Sequence, residues 1–102
     1  TQPKQSQIVM YSILHVLDEK KSGEFAETGE VLENYKEVCK RTGNNILTQR
    51  RISDLISELD MLGIINAKLI SKGRYGRTRE IYMTIPMDIL EKIRATLESE
   101  LF

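Results

Sequence analysis

The hydrophobic spacing of the chain changes at Gly63, and this change constrains the fold more than any other feature. Before Gly63, apolar residues recur at the i, i+3, i+4, i+7 spacing of an amphipathic helix that Thr48 can cap. These residues are Ile52, Leu55, Ile56, Leu59 and Leu62. After Gly63, Ile65, Ala67 and Leu69 alternate with other residues, which predicts a strand with one buried face. A helix that runs almost directly into a strand is therefore expected.

A second strand is predicted from Glu80 to Ile85, with Ile81, Met83 and Ile85 on its buried face. Between the strands, residues 72–79 hold two glycines, an aromatic residue and four cationic residues, without a carboxylate. The cationic residues and the aromatic one are Lys72, Arg74, Tyr75, Arg77 and Arg79. This segment is predicted to form the basic tip of a β-hairpin.

Three further helices are predicted, at about residues 8–21, at about 29–42 after a Thr28 N-cap, and from about Pro86 onward. A short strand is expected at 24–26. The resulting order is that of a winged helix-turn-helix. The predicted class is α+β, mainly α, with a two-stranded hairpin wing and a C-terminal helix, in one domain over residues 1–102.

The formal net charge of the chain is zero, but the charges are segregated along it. Residues 40–79 contain nine basic and three acidic residues, a net charge of +6, whereas residues 1–39 and 80–102 each carry −3. The middle segment is therefore a candidate surface for a polyanion.

The residue types that catalysis would need are scarce. There is one His and one Cys, and periodicity places His15 on an exposed face and Cys39 on a core face. No set of closely spaced zinc ligands and no phosphate-binding P-loop occurs in the sequence. We therefore expect a non-enzymatic protein without a metal site.

The predicted helix that follows Thr48 is the third in chain order, and it has polar side chains opposite its apolar stripe. It would be the second helix of the helix-turn-helix, which is the one that enters the major groove. The candidate DNA-binding residues on it are Thr48, Gln49, Arg50, Arg51, Ser53 and Ser57. Lys72, Arg74, Tyr75, Arg77 and Arg79 complete the set on the wing. The competing interpretations are that Arg50 and Arg51 merely pair with Asp54, and that the hairpin tip is an ordinary solvated turn.

Four stretches of the sequence resemble the C-terminal domain of archaeal origin-recognition/cell-division-control replication initiators. They are residues 28–35 (TGEVLENY), 47–55 (LTQRRISDL), 59–64 (LDMLGI) and 73–81 (GRYGRTREI). The resemblance implies binding of double-stranded origin DNA, with the helix after Thr48 in the major groove and the wing in the minor groove. It implies an AAA+ ATPase domain in the same protein, of which this chain would be a fragment. ATP and magnesium are expected only for that absent domain, and no cofactor is expected here.

Other functions stay open. A protein-docking winged helix would bind a partner such as the replicative helicase or the parent ATPase, and an exposed Ile8 and spare apolar residues on the last helix would favour it. A homodimeric transcription regulator would use the last helix as its dimer interface. We expect a monomer as an isolated domain, in the cytoplasm with the nucleoid, and no membrane association, because no apolar run reaches about 20 residues.

Overall fold

Four helices and a small antiparallel sheet make up the computed structural model, which describes residues 3–20, 24–71 and 77–102. The elements in chain order are α1 (Pro3–Asp18), β1 (Ala26–Glu27), α2 (Thr28–Thr42), α3 (Gln49–Met61), β2 (Ile65–Ser71), β3 (Arg77–Met83) and α4 (Met87–Leu101). This order confirms the winged-helix fold. In the described ranges, no helix has both the length and the apolar character to cross a membrane.

The sheet has three strands in the order β1-β3-β2, so the short β1 adds a third strand to the expected two-stranded ribbon. The β2–β3 ladder also extends further than the hydrophobic pattern indicated. Arg77 pairs with Ser71, and Arg79 pairs with Leu69, so the second half of the expected tip is strand. Hydrophobic alternation could not reveal these pairs because charged residues occupy β3 there.

The first helix is more deeply enclosed than its apolar stripe predicted. Ile8, whose exposure would have favoured a docking role, is 0% exposed, and Ser12 on the same helix is also 0% exposed. The reason is that α1 packs against α2, α3 and α4 and so buries more than one stripe of its surface. The Ser12 hydroxyl is satisfied internally, donating to the Ile8 carbonyl at 2.8 Å. His15 is exposed, as expected.

The last helix packs against α1 and covers part of the core. Leu97 is buried, and three further apolar residues of α4 pack against the core. Arg94 fastens the two helices together, because its guanidinium donates to the Leu14 carbonyl at 3.0 Å and pairs with Asp18 at 2.9 Å. These contacts hold α4 against α1.

Candidate nucleic-acid interface

The first turn of α3 is exposed and cationic. Gln49, Arg50 and Arg51 are all exposed, and the Thr48 hydroxyl caps the helix by accepting from the Arg51 amide at 3.3 Å. Within the described parts of the chain, neither arginine forms an ion pair with Asp54. The two guanidinium groups therefore project from the helix N-terminus, where backbone amides also favour an anion.

The other two candidate residues on α3 lie against the sheet. Ser53 and Ser57 are half-buried, and both hydrogen-bond to Arg79 on β3. The guanidinium of Arg79 donates to the Ser53 carbonyl at 2.8 Å and to the Ser57 hydroxyl at 3.0 Å. Three residues that sequence reasoning assigned to DNA thus contact one another.

Three of the candidate wing residues, Lys72, Arg74 and Tyr75, lie outside the described residues. The backbone of Arg77 is placed at the start of β3, opposite Ser71. In the sequence, the segment that carries the other three residues joins Ser71 to Arg77.

A cleft of about 330 Å³ separates α3 from the ribbon. It is lined by Thr28, Gln49, Ser53, Leu69, Thr78 and Arg79. Leu69 was expected on the buried face of its strand, yet 56% of it is exposed. It follows Ile65 and Ala67 on that face, and exposure rises from 1% at Ile65 to 56% at Leu69, where the face lines this cleft.

The turn that leads into α3 is held by a buried hydrogen-bond network. The hydroxyl of Tyr35 donates to the Gln5 side chain at 2.7 Å and accepts from the Leu47 amide at 2.9 Å. Gln5 in turn donates to the Asn45 carbonyl at 2.9 Å. Burial raises the pKa of Tyr35 to about 12, so the hydroxyl stays protonated at neutral pH.

Sequence reasoning missed this network, although one signal for it was available. Tyr35 lies on the core stripe of α2, and a buried tyrosine hydroxyl normally needs a hydrogen-bond partner. Gln5 gave no such signal, because its segment precedes the predicted start of the first helix. Gly43, with φ 71°, begins the same turn in the left-handed conformation that glycine adopts readily.

Thr28 also has a different role from the one its sequence position suggested. The N-cap of α2 is Glu27, whose amide donates to the Glu30 carboxylate at 3.1 Å. The Thr28 hydroxyl instead accepts from the backbone amide of Arg79 at 3.0 Å. The β1–β3 pairing ends at Glu27 and Glu80, and the Thr28 hydroxyl accepts the hydrogen bond of the next β3 residue, Arg79.

Negative charge is collected in a groove between α1 and α2. Five glutamates line it, namely Glu19, Glu24, Glu30, Glu33 and Glu37. Lys20 pairs with Glu30 at 2.8 Å, and this bond holds the pKa of that carboxyl below its usual value. Among the described residues no group of three His, Cys, Asp or Glu side chains could hold a metal ion. This groove would repel a polyanion, in contrast to the first turn of α3.

Comparison with known proteins identifies the domain. Residues 1–93 match the family model described as the CDC6, C terminal winged helix domain. The chain is 47% identical over 93 residues to ORC1-type DNA replication protein 1 of Methanosarcina mazei, covering 91% of this chain and 22% of that protein. It is 57% identical over 86 residues to the ORC1-type DNA replication protein of Pyrococcus horikoshii, covering 83% of this chain and 20% of that protein.

Two solved structures share the fold. The Aeropyrum pernix ORC1 protein in complex with DNA has a TM-score of 0.79 and 35% identity, over 99% of this chain and 26% of that one. The Cdc6p structure from Pyrobaculum aerophilum, at 22% identity, has a TM-score of 0.72 over 99% of this chain and 25% of that one. The chain thus spans about a fifth to a quarter of the length of these relatives. It belongs to the Cdc6 C-terminal winged-helix domain family.

Proposed function

We propose that this chain binds double-stranded origin DNA as the non-catalytic winged-helix domain of a replication initiator. The observation that carries the proposal is the exposed, cationic first turn of α3, which lies beside the β2–β3 ribbon. In the sequence, the segment between these strands carries Lys72, Arg74 and Tyr75. The similarity of the chain to an ORC1 protein solved in complex with DNA supports DNA binding.

The side chains of α3 and those of the wing are suited to different parts of a DNA duplex. Gln49 and Arg50, at the N-terminus of α3, are suited to base edges in the major groove, because arginine can donate two bonds to guanine and glutamine can pair with adenine. Arg51 and the α3 amides near Thr48 are suited to phosphate. Arg74 and Arg77 are proposed to supply affinity from the minor groove, with little sequence information.

A titration of labelled duplexes over a range of salt concentrations tests the proposal. Replacing Arg74 and Arg77 with alanine should weaken binding to origin and random duplexes alike, and should reduce the salt slope by about one unit for each lost phosphate contact. Gln49→Ala or Arg50→Ala should instead reduce the preference for origin DNA over random DNA. Lys92→Ala is the control, because it removes an exposed cation that lies on α4 and on neither α3 nor the wing.

Two results would count against these assignments. An unchanged salt slope after loss of Arg74 and Arg77 would remove the wing from the interface. Equal losses on origin and random duplexes for Gln49→Ala and Arg50→Ala would remove base reading from α3.

The protein-docking alternative keeps one of its two supporting observations. Ile8 is buried and no longer favours it, but Met87 and Ile89 on α4 are 70% and 45% exposed. The first turn of α4 could therefore contact a helicase or the parent ATPase. Absence of any DNA binding at high micromolar protein and low salt would favour docking as the main function.

A further inference from the structure

Arg79 is the last point at which the described ribbon is bonded to the helical body. The β2–β3 register places Ile65 opposite Met83 and Ala67 opposite Ile81, which together form the core side of the ribbon. Arg79, opposite Leu69, is the next pair on the same face, and there the cross-strand neighbour is already largely in solvent. Two described pairs, Ile70 with Thr78 and Ser71 with Arg77, lie further along the ribbon than this anchor.

Three hydrogen bonds join Arg79 to two different helices. Its backbone amide donates to the Thr28 hydroxyl at the start of α2 at 3.0 Å. Its guanidinium donates to Ser53 and Ser57, one helical turn apart on α3, at 2.8 and 3.0 Å. The planar fork of arginine fits two acceptors at once, which the single ammonium of lysine cannot do in the same geometry.

A two-stranded ribbon is only marginally stable by itself, so its direction depends on where it is anchored. The acceptors on α3 belong to the helix whose first turn carries Gln49 and Arg50. The Ala67 amide also bonds β2 to α3, donating to the Asp60 carboxylate at 3.3 Å, but it lies one pair closer to the core on the same face. A rotation of the outer ribbon relative to α3 would therefore strain the bonds of Arg79.

On this basis we infer that Arg79 is a positioning residue that sets the angle between the wing and the recognition helix, and not a direct DNA contact. The Arg79 side chain is bonded to α3, while its backbone belongs to β3. Arg79 therefore fixes β3 relative to α3, and this angle determines whether α3 can enter the major groove while the wing enters the minor groove. The inference rests on the proposed function for its effect on DNA, but the bonding that it concerns exists without DNA.

The first test measures the angle directly, without DNA. Spin labels at Lys68→Cys on β2 and Glu58→Cys on α3, both exposed sites, are placed in a Cys39→Ala background that removes the buried native thiol. Electron–electron distance measurements should give a narrow distribution for the parent protein and a broader or shifted one for Arg79→Lys and Arg79→Ala. Arg51→Lys, in the exposed first turn of the same helix, should leave the distribution unchanged.

The second test uses DNA and separates positioning from phosphate contact. Arg79→Lys keeps the charge, so a phosphate contact would survive and binding would stay close to that of the parent protein. Positioning predicts instead that Arg79→Lys lowers affinity for the preferred duplex by roughly 3- to 10-fold, the scale of a lost hydrogen bond, with an unchanged salt slope. Ser57→Ala, a milder change, should show part of the same loss and should be non-additive with Arg79→Ala.

The outcomes are distinct. Unchanged label distances in both Arg79 variants, or full DNA affinity for Arg79→Lys with about one unit of slope lost in Arg79→Ala, would overturn the positioning role. Changed distances in a protein that binds no duplex would sustain the positioning role and refute the proposed function.

Discussion

At the scale of single residues, the buried hydroxyl of Tyr35 connects the core to the turn that leads into α3. It satisfies both Gln5 and the Leu47 amide, and Leu47 immediately precedes the cap of α3. We expect Tyr35→Phe to lower the free energy of unfolding by about 1–3 kcal/mol, because both partners are left unsatisfied. Urea unfolding at pH 7 measures this loss. Tyr11→Phe is the control, since among the described residues the Tyr11 hydroxyl has no hydrogen-bond partner.

The same residue predicts a pH dependence. The pKa of Tyr35 is about 12 in the folded protein and 10.0 ordinarily, so folding favours the protonated hydroxyl. Its contribution is complete below pH 10 and is lost as the pH rises towards 12. The stability difference between the parent protein and Tyr35→Phe should therefore narrow over this interval. A difference that stays constant up to pH 12 would show that the hydroxyl does not titrate in this way.

At the scale of elements, the start of α3 depends on one cap. The Thr48 hydroxyl accepts from the Arg51 amide, and no acidic residue lies in the first turn to compensate for its loss. Thr48→Ala should lower stability by about 1 kcal/mol and should fray the turn that carries Gln49 and Arg50. Thr48→Ser retains the acceptor and should behave like the parent protein in thermal unfolding. Equal losses in the two variants would assign the effect to packing of the methyl group.

In the ribbon, the contribution of apolar side chains to stability should fall from the core towards its outer end. Ile81 on β3 pairs with Ala67 on β2, and Leu69 belongs to the next pair outward on the same face. Ile81 is 0% exposed, whereas Leu69 is 56% exposed. Ile81→Ala should cost about 2–5 kcal/mol. Leu69→Ala should cost about 0.5 kcal/mol or less. Chemical denaturation of the pair measures the contrast, and similar costs would mean that the outer ribbon is packed as tightly as the inner part.

At the scale of the whole molecule, the neutral total charge conceals two opposite surfaces. Glutamates line the α1–α2 groove, while exposed arginines occupy the start of α3. If the chain binds DNA as proposed, this arrangement should direct a duplex to the side of α3. Binding should then depend steeply on salt despite the zero net charge.

The exposed residues of α4 raise the question of self-association. Met87 and Ile89 form only a short apolar region at the start of α4, and stable dimers usually bury about 1,200–2,000 Å² in total. We therefore expect a monomer, with a sedimentation-derived mass that does not change with concentration. A rise in mass with concentration, reversed by Met87→Glu, would instead support the dimeric regulator.

The sequence by itself determined the order of elements and the family. The change of hydrophobic period at Gly63, the Thr48 cap and the residue 73–81 stretch are local signals, and local signals can be read without the fold. They were sufficient to predict a winged helix and to locate the exposed first turn of α3, whose contacts with DNA stay a prediction.

Only the tertiary structure decided how the residues are shared between interior and surface. The burial of Ile8 and Ser12, the pairing of the short strand Ala26–Glu27 with β3, and the bonds of Arg79 to Thr28, Ser53 and Ser57 all join segments distant in sequence. Periodicity reports which face of an element is apolar, but not how many neighbours enclose it. For the same reason a charged residue such as Arg79 could be recognised as cationic from the sequence, whereas its orientation towards α3 depends on the packing of three elements.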